Sequence, residues 1–362
     1  MFHSKRLISA FMLIPLSIFA ISCSDKSFSA KPSDNVGPSQ CNDGQNCDYD
    51  LYDYTKDAVA PKADILFVVD NSGSMSPEQR EMGNKFPSFL SSLGDLDYRI
   101  AITTTDIADG DNPPSSINQW GALQDGRLIA FPNGAAYLDG SLGVATEQSH
   151  FLNTVRRQET INCENSGYNL DLCPSGDERG LLAANMTITS NYNNFIRPDG
   201  HLAIVFLSDE DERSDGNETF TAVEYPNNFV TVFQSIYPNK SLKAHSIIIR
   251  PGDSGCLYDQ SINSPRGFFG DTYAELSNLT GGIIGDICAS DYSGQLSDIG
   301  EDVAQPREIL PCRPYQDEVT VTFEPQPSYN VEVTKNLEQK EILFSRSLPR
   351  GTKIRFQFRC LK

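Results

Sequence analysis

The chain predicts an α/β protein: a doubly wound, mostly parallel sheet with helices on both faces, followed by a small C-terminal all-β module. Three observations carry this. Short apolar runs such as Ile65-Leu66-Phe67-Val68-Val69 and Leu202–Leu207 have the length and composition of strands buried on both faces. Between them Met82, Phe86, Phe89, Leu90 and Leu93 recur at helical spacing. After residue 305 the pattern changes to short runs that alternate polar and apolar residues, as half-buried antiparallel strands do.

Taken in order, the chain opens with Lys5 and Arg6, then a largely apolar run from Leu7 to Ile21, then Ser22-Cys23. A charged start, an apolar centre shorter than the roughly 20 residues of a spanning helix, and small residues at a cut point read as a secretory leader over 1–22. Residues 23–61, rich in Ser, Asp, Asn, Gly and Pro, bury little and read as a tether. Asp48–Tyr54 reads as a short strand or packing segment leading into the domain. The α/β domain spans 62–305. Its first strand is 65–69, and its first helix is expected to be capped by Ser76, with Pro77 at the first position and Gln79 completing a capping box. A strand over 98–104 follows, then a long segment, 106–177, punctuated by Gly, Pro and Asn and read as irregular. Next come a helix over about 180–195, the strand 202–207, an acidic loop, a helix around Phe229–Ile236, a strand over 244–250, a helix over 272–279, a strand over 283–287 and a helix over 296–303. In the module, 306–362, strands are expected at 319–323, 329–333, 341–344 and 353–358.

Composition narrows the function. The formal net charge is −19, and −21 once Lys5 and Arg6 leave with the leader. Phosphate backbones would be repelled, which disfavours nucleic acid as a partner. Of nine cysteines, eight remain beyond Cys23: Cys41, Cys47, Cys163, Cys173, Cys256, Cys288, Cys312 and Cys360. An even set in an exported chain reads as disulfides, nearest-neighbour pairing being the simplest arrangement. No pair has the Cys-x-x-Cys spacing of a zinc cluster.

The run Asp70-Asn71-Ser72-Gly73-Ser74 closes the first strand with one carboxylate and two hydroxyls at alternate positions. These hard oxygen donors suit Mg²⁺, or Mn²⁺ or Ca²⁺, where a parallel sheet opens to solvent. Ser208-Asp209-Glu210-Asp211-Glu212 follows a second strand, and Ser175-Gly176-Asp177-Glu178-Arg179-Gly180 precedes a helix. Other motifs carry less. Asp106, Asp109, Asp111 and Asn112 run into Pro113-Pro114 without the glutamate of an EF-hand, so a turn is expected. Gly252-Asp253-Ser254-Gly255 follows a strand of an α/β pattern and has no catalytic context. His150, His201 and His245 lie in unrelated contexts and read as structural.

Asp-x-Ser-x-Ser after a strand, an aspartate after a later strand, and the late Tyr273–Gly282 helix-to-Thr-Gly-Gly turn resemble von Willebrand factor A domains and their metal-ion-dependent adhesion site. The resemblance covers about 64–303. It implies a Rossmann-like fold and a divalent cation held by Asp70, Ser72 and Ser74, with Asp209 orienting water. The family's threonine ligand has no counterpart: an acidic residue stands there, Glu178 first and Asp177 second. Ala20-Ile21-Ser22-Cys23 resembles a bacterial lipobox, which implies lipidation of Cys23 and, with Ser24 following, the outer membrane. Lipobox, acidic loop and β tail together look like surface lipoproteins of predatory deltaproteobacteria. The expected function is therefore a lipid-anchored surface protein, not an enzyme, that uses its cation to bind a protein or glycan on a cell or envelope surface. The alternative is an envelope scaffold whose ion only stabilises the fold. A metal-assisted hydrolase ranks last, because no general base stands beside the motif.

Overall fold

A strand that is apolar on both faces needs a layer on each side, and the sheet at the centre of this protein has both. The computed structural model describes residues 49–107, 124–169, 173–174, 178–213, 219–263 and 267–362. The leader, the lipobox, Cys23, Cys41, Cys47, Asp177 and Asp109–Asn112 lie outside the described residues. After β1 (Tyr49–Asp57), the strands β2 (Lys62–Val69), β3 (Asp97–Thr104), β4 (His201–Ser208), β5 (Leu242–Ile248) and β6 (Ile284–Asp286) form a five-stranded parallel sheet in the order β3-β2-β4-β5-β6. Side chains alternate across it. Ile65, Phe67 and Val69 face one core, Leu66 and Val68 the other.

The first core is covered by α1 (Ser76–Leu93), α2 (Val144–Val155), α6 (Ser254–Asn263) and α8 (Ser293–Ala304). The second is covered by α4 (Gly180–Ser190), α5 (Pro226–Ile236) and α7 (Asp271–Thr280). Phe67 meets Phe86, Phe89 and Phe151 edge-on, and Phe86 and Phe151 stack with centroids 3.6 Å apart. Gly83 permits this approach of α1 and α2, since a Cβ there would strike Leu152 and Val155.

Several expectations are corrected. Ser76 does not cap α1: a 3₁₀ turn over Gly73–Met75 runs directly into the helix, Met75 takes the cap position, and no side chain caps it. Gln79 is thereby freed for the metal-motif loop, described below. The segment 106–177 is not irregular throughout, because it contains α2 and α3 (Gln158–Asn165) and a backbone bridge from Leu138 to Ile100. The helix expected to reach residue 195 stops at Ser190, where Asn191 adopts a left-handed conformation (φ 42°), the usual way of ending a helix. Finally, α6 occupies the stretch after Gly252-Asp253 that carried no helical expectation.

The C-terminal region is antiparallel β. β1 pairs with β11 (Lys353–Leu361), which pairs with β8 (Val319–Glu324). A second small sheet has the order β7-β10-β9, from β7 (Arg307–Ile309), β9 (Val333–Asn336) and β10 (Glu341–Phe344). The strand expected at 329–333 therefore lies later, at Val333–Asn336. β1, from the segment expected to lead into the domain, contributes Tyr52 and Tyr54 to this core. Tyr52 stacks on Phe358 at 5.1 Å. Three disulfides join Cys163 to Cys173, Cys256 to Cys288 and Cys312 to Cys360, as nearest-neighbour pairing predicts. Among the described residues no helix is long and apolar enough to cross a membrane.

Candidate metal centre

The position of the site follows from strand order. β2 lies between β3 and β4, so the connections leaving it and returning run to opposite sides, and a crevice opens at their carboxyl ends. Val69 is in register with Thr104 and with Leu207. Asp70, Asp106 and Asp209 thus emerge side by side from three adjacent strands. Asp70 N–H still bonds the Leu207 carbonyl (3.0 Å), and Thr105 N–H the Val69 carbonyl (3.3 Å).

Asp70, fully buried, accepts from Ser72 N–H at 2.7 Å and from the Ser208 hydroxyl at 2.6 Å. The Ser72 and Ser74 hydroxyls lie 3.0 Å apart, and Ser74 donates to Asp209 Oδ1 at 3.0 Å. Two loop segments therefore converge on one pair of hydroxyls. The turn between them requires glycine: a Cβ on Gly73 would strike the Cys163 sulfur and the Tyr168 ring. The disulfide-bonded end of α3 is thus packed directly over the motif.

The loop is held from below. Gln79 donates to the Asp70 carbonyl (2.9 Å) and to Thr160, accepts from Arg157 N–H, and Thr160 donates to the Asn71 carbonyl (2.7 Å). Asn71 donates to Asp106 Oδ2 (2.8 Å) and Glu159 Oε1 (3.2 Å). Asp106, expected to lie in a turn, is instead buried in this network, and Oδ1 is left without a partner.

Glu178 is positioned by backbone bonds on both sides, Arg179 N–H to Thr105 O and Arg213 N–H to Glu178 O. Its side chain is 1 % exposed, faces the Asp70 carboxylate, and neither of its oxygens meets a donor. Asp209 Oδ2 is equally unpartnered. Burial pushes the carboxyls of Glu178, Asp209 and Asp106 well above the usual range. Mutual repulsion adds to this: Glu210, Asp70, Asp106 and Asp209 act on Glu178, and Asp70 and Glu210 on Asp209. Asp70 is raised by burial too, with its Ser208 and Ser72 bonds opposing. The neighbouring guanidiniums are engaged elsewhere, Arg157 with Glu159 and Arg179 with Glu224.

The acidic loop is not a solvated run of charge. Asp211 accepts from Thr272 N–H and hydroxyl at the start of α7, and Glu212 from Leu181 and Leu182 N–H at the start of α4. These carboxylates satisfy orphan helix N–H groups and suit the positive helix ends.

A divalent, oxygen-seeking cation fits this donor set. Buried carboxylates without counter-charge cost several kcal/mol each, and buried oxygens without a donor are uncommon in native proteins. An ion beside Ser72 and Ser74 would relieve both. Ser72, Ser74 and Glu178 offer direct donors, while Asp70 and Asp209 already act through the serine hydroxyls. A separate group, Cys256, Asp286 and Cys288, has ligand atoms within 4.8 Å of one another and could hold a metal. Its sulfurs are joined as a disulfide here, and its donors do not select Mg²⁺.

Sequence reasoning missed Asp106, Glu210, Asn71 and Thr160. A signal for the first was present, since Asp106 follows the apolar 98–104 strand much as Asp70 and Asp209 follow theirs.

Comparison with known proteins gives no family model and no curated protein that matches. Solved structures that are similar include proximal thread matrix protein 1 from the mussel byssus (9 % identity, 71 % of this chain and 51 % of that one, TM-score 0.37). Others are the pilus adhesin SpaC from Lactobacillus rhamnosus GG (11 % identity, 86 % and 42 %, TM-score 0.31) and the human COPII-coat protein Sec24c (10 % identity, 84 % and 41 %, TM-score 0.34). The chain spans about half the length of the first of these and less of the others.

Proposed function

We propose that the chain is a von Willebrand A-type binding module, exported and lipid-anchored through Cys23 on the outer membrane. In this reading Mg²⁺, or Mn²⁺ or Ca²⁺, organises a face that binds a protein or glycan on a cell or envelope surface. The observation that carries the reading is the pair of serine hydroxyls 3.0 Å apart, set between Asp70 and Asp209, with the unpartnered Glu178 carboxylate beside them. When bound, the ion supplies the positive charge that these buried oxygens lack. The residues do the remaining work: Asp70 fixes the Ser72 backbone, Ser74 ties the first loop to the third, and Glu178 brings the segment before α4 into the same cluster. The von Willebrand A assignment rests on the motif, on the strand order and on the convergence of three loops at one switch point.

A second reading is favoured by one observation. Asp70, Glu178 and Asp209 are each at most 1 % exposed, so the ion sits inside the protein and serves chiefly to order the loops, as in a scaffold. Capture of envelope or target-cell material by the wild type and by Asp70→Ala, in Mg²⁺ and in EDTA, separates the two. Capture that is lost on chelation and in the variant supports binding. Undiminished capture in both, together with a Mg²⁺-dependent rise in melting temperature, supports scaffolding.

A further inference from the structure

Of the residues in the metal motif, Ser74 is only partly buried, and it forms the edge of a groove of about 440 Å³ between α1, α6 and the loop after β6. We propose that this groove is a receptor for a basic side chain, a lysine or arginine of a partner polypeptide. The residues proposed to hold the ion are not the ones that recognise it.

The groove is acidic and contains an unused acceptor. Glu78, Glu81 and Asp259 line it, against a single guanidinium, Arg80, which is exposed. Glu78 is 9 % exposed; its Oε1 accepts from Gln260 at 3.1 Å, while the buried Oε2 has no partner. Its place in the first turn of α1 suits the helix dipole, yet the dipole supplies no donor for Oε2. Glu81 Oε1 also lacks a hydrogen bond, with Lys85 only at 3.9 Å. An unpartnered acceptor in the wall of a groove is completed by an N–H donor, and a charged donor gives the stronger bond.

The walls fit an alkyl-ammonium or guanidinium better than a hydrated metal ion. Tyr168, 38 % exposed, presents aromatic surface, over which organic cations are attracted. The volume lies within the range of sites for small organic groups and exceeds what one hydrated cation fills. A polypeptide source is indicated by α6. The helix that supplies Asp259 and Gln260 also exposes Tyr258 (67 %) and Ile262 (59 %), one turn apart, and is pinned by Cys256–Cys288. Rigid exposed apolar residues beside a charged slot suit a peptide that inserts one basic side chain and lays its neighbours on the helix.

The test is an NMR titration of the Mg²⁺-supplied full domain with N-acetyl-lysine methylamide and its norleucine and glutamate counterparts. The lysine probe is expected to shift the Gln260 side-chain amide and the Tyr168 ring saturably, with the other two weaker by roughly tenfold or more. Glu78→Gln is expected to weaken lysine binding by a similar factor with its unfolding transition unchanged, and exposed Asp259→Asn to weaken it a few-fold. Equal shifts from norleucine, or wild-type affinity in folded Glu78→Gln or in Asp259→Asn, overturn the proposal. The Mg²⁺ titration of the same protein reads the metal centre separately, so the two ideas fail independently.

Discussion

In the proposed centre, Glu178 is the residue expected to set how strongly an ion is held. A carboxylate where the von Willebrand A motif has a threonine would add a full negative charge beside the cation, and in a buried site that charge interacts strongly. Glu178→Thr is expected to weaken Mg²⁺ binding by roughly tenfold or more in isothermal titration calorimetry; equal affinity would show that Glu178 is not a ligand. At this scale the sequence was legible where a residue followed a strand in a recognisable spacing, as Asp70, Ser72, Ser74 and Asp209 do. Asp106 was not, because the run of acidic residues and Pro113-Pro114 after it resembles a turn. Its role depends on the amide of Asn71, a contact that spacing does not reveal. Ser76 misled for a related reason. It begins the helix, but the preceding 3₁₀ turn already supplies the geometry that a cap would provide.

At the scale of elements, α2 and α3 convert a stretch that reads as loop into a support for the site. Their apolar faces are short, and Gly, Pro and Asn interrupt the flanks, so periodicity is weak where packing is strong. Phe151 is fully buried against Phe67 and Phe86. Phe151→Ala is expected to cost about 3–5 kcal/mol in urea unfolding, and a loss below about 1 kcal/mol would show that α2 is dispensable to the core. β5 carries a second consequence. His245 is buried on this strand, and burial with the nearby Arg307 and Lys243 charges pushes its pKa down from 6.5 to about 3. Between those values the unfolded chain binds the proton and the folded chain does not, so this residue's contribution to stability falls as pH falls below about 6.5. Relative to His245→Gln, the wild type should lose on the order of 2 kcal/mol between pH 6.5 and pH 4.5, measured as the difference between their urea unfolding curves. Parallel pH profiles would contradict it.

For the whole molecule, the sheet order is what brings three separated loops together, and the alternation of apolar runs with helical spacing made the parallel sheet readable but not the order of its strands. The C-terminal sheet was only partly readable. β1 joins β11 from 296 residues earlier (Asp57 to Lys353), and no local pattern encodes so distant a pairing. Because the carboxylates around Asp70 are raised and repel one another, the proposed ion is expected to make the protein more stable at neutral pH. Ligand linkage predicts a gain of about 2.7 kcal/mol at an ion concentration one hundred times the dissociation constant. Thermal unfolding at pH 7.5 in EDTA and in excess Mg²⁺ checks this, and identical midpoints would contradict it.

The most direct measurement is calorimetric titration of Mg²⁺ into the wild type and into Asp70→Ala, both with disulfides intact. Saturable binding near one ion per chain is expected in the wild type and none in the variant; no binding in the wild type, or undiminished binding in Asp70→Ala, would overturn the proposed centre.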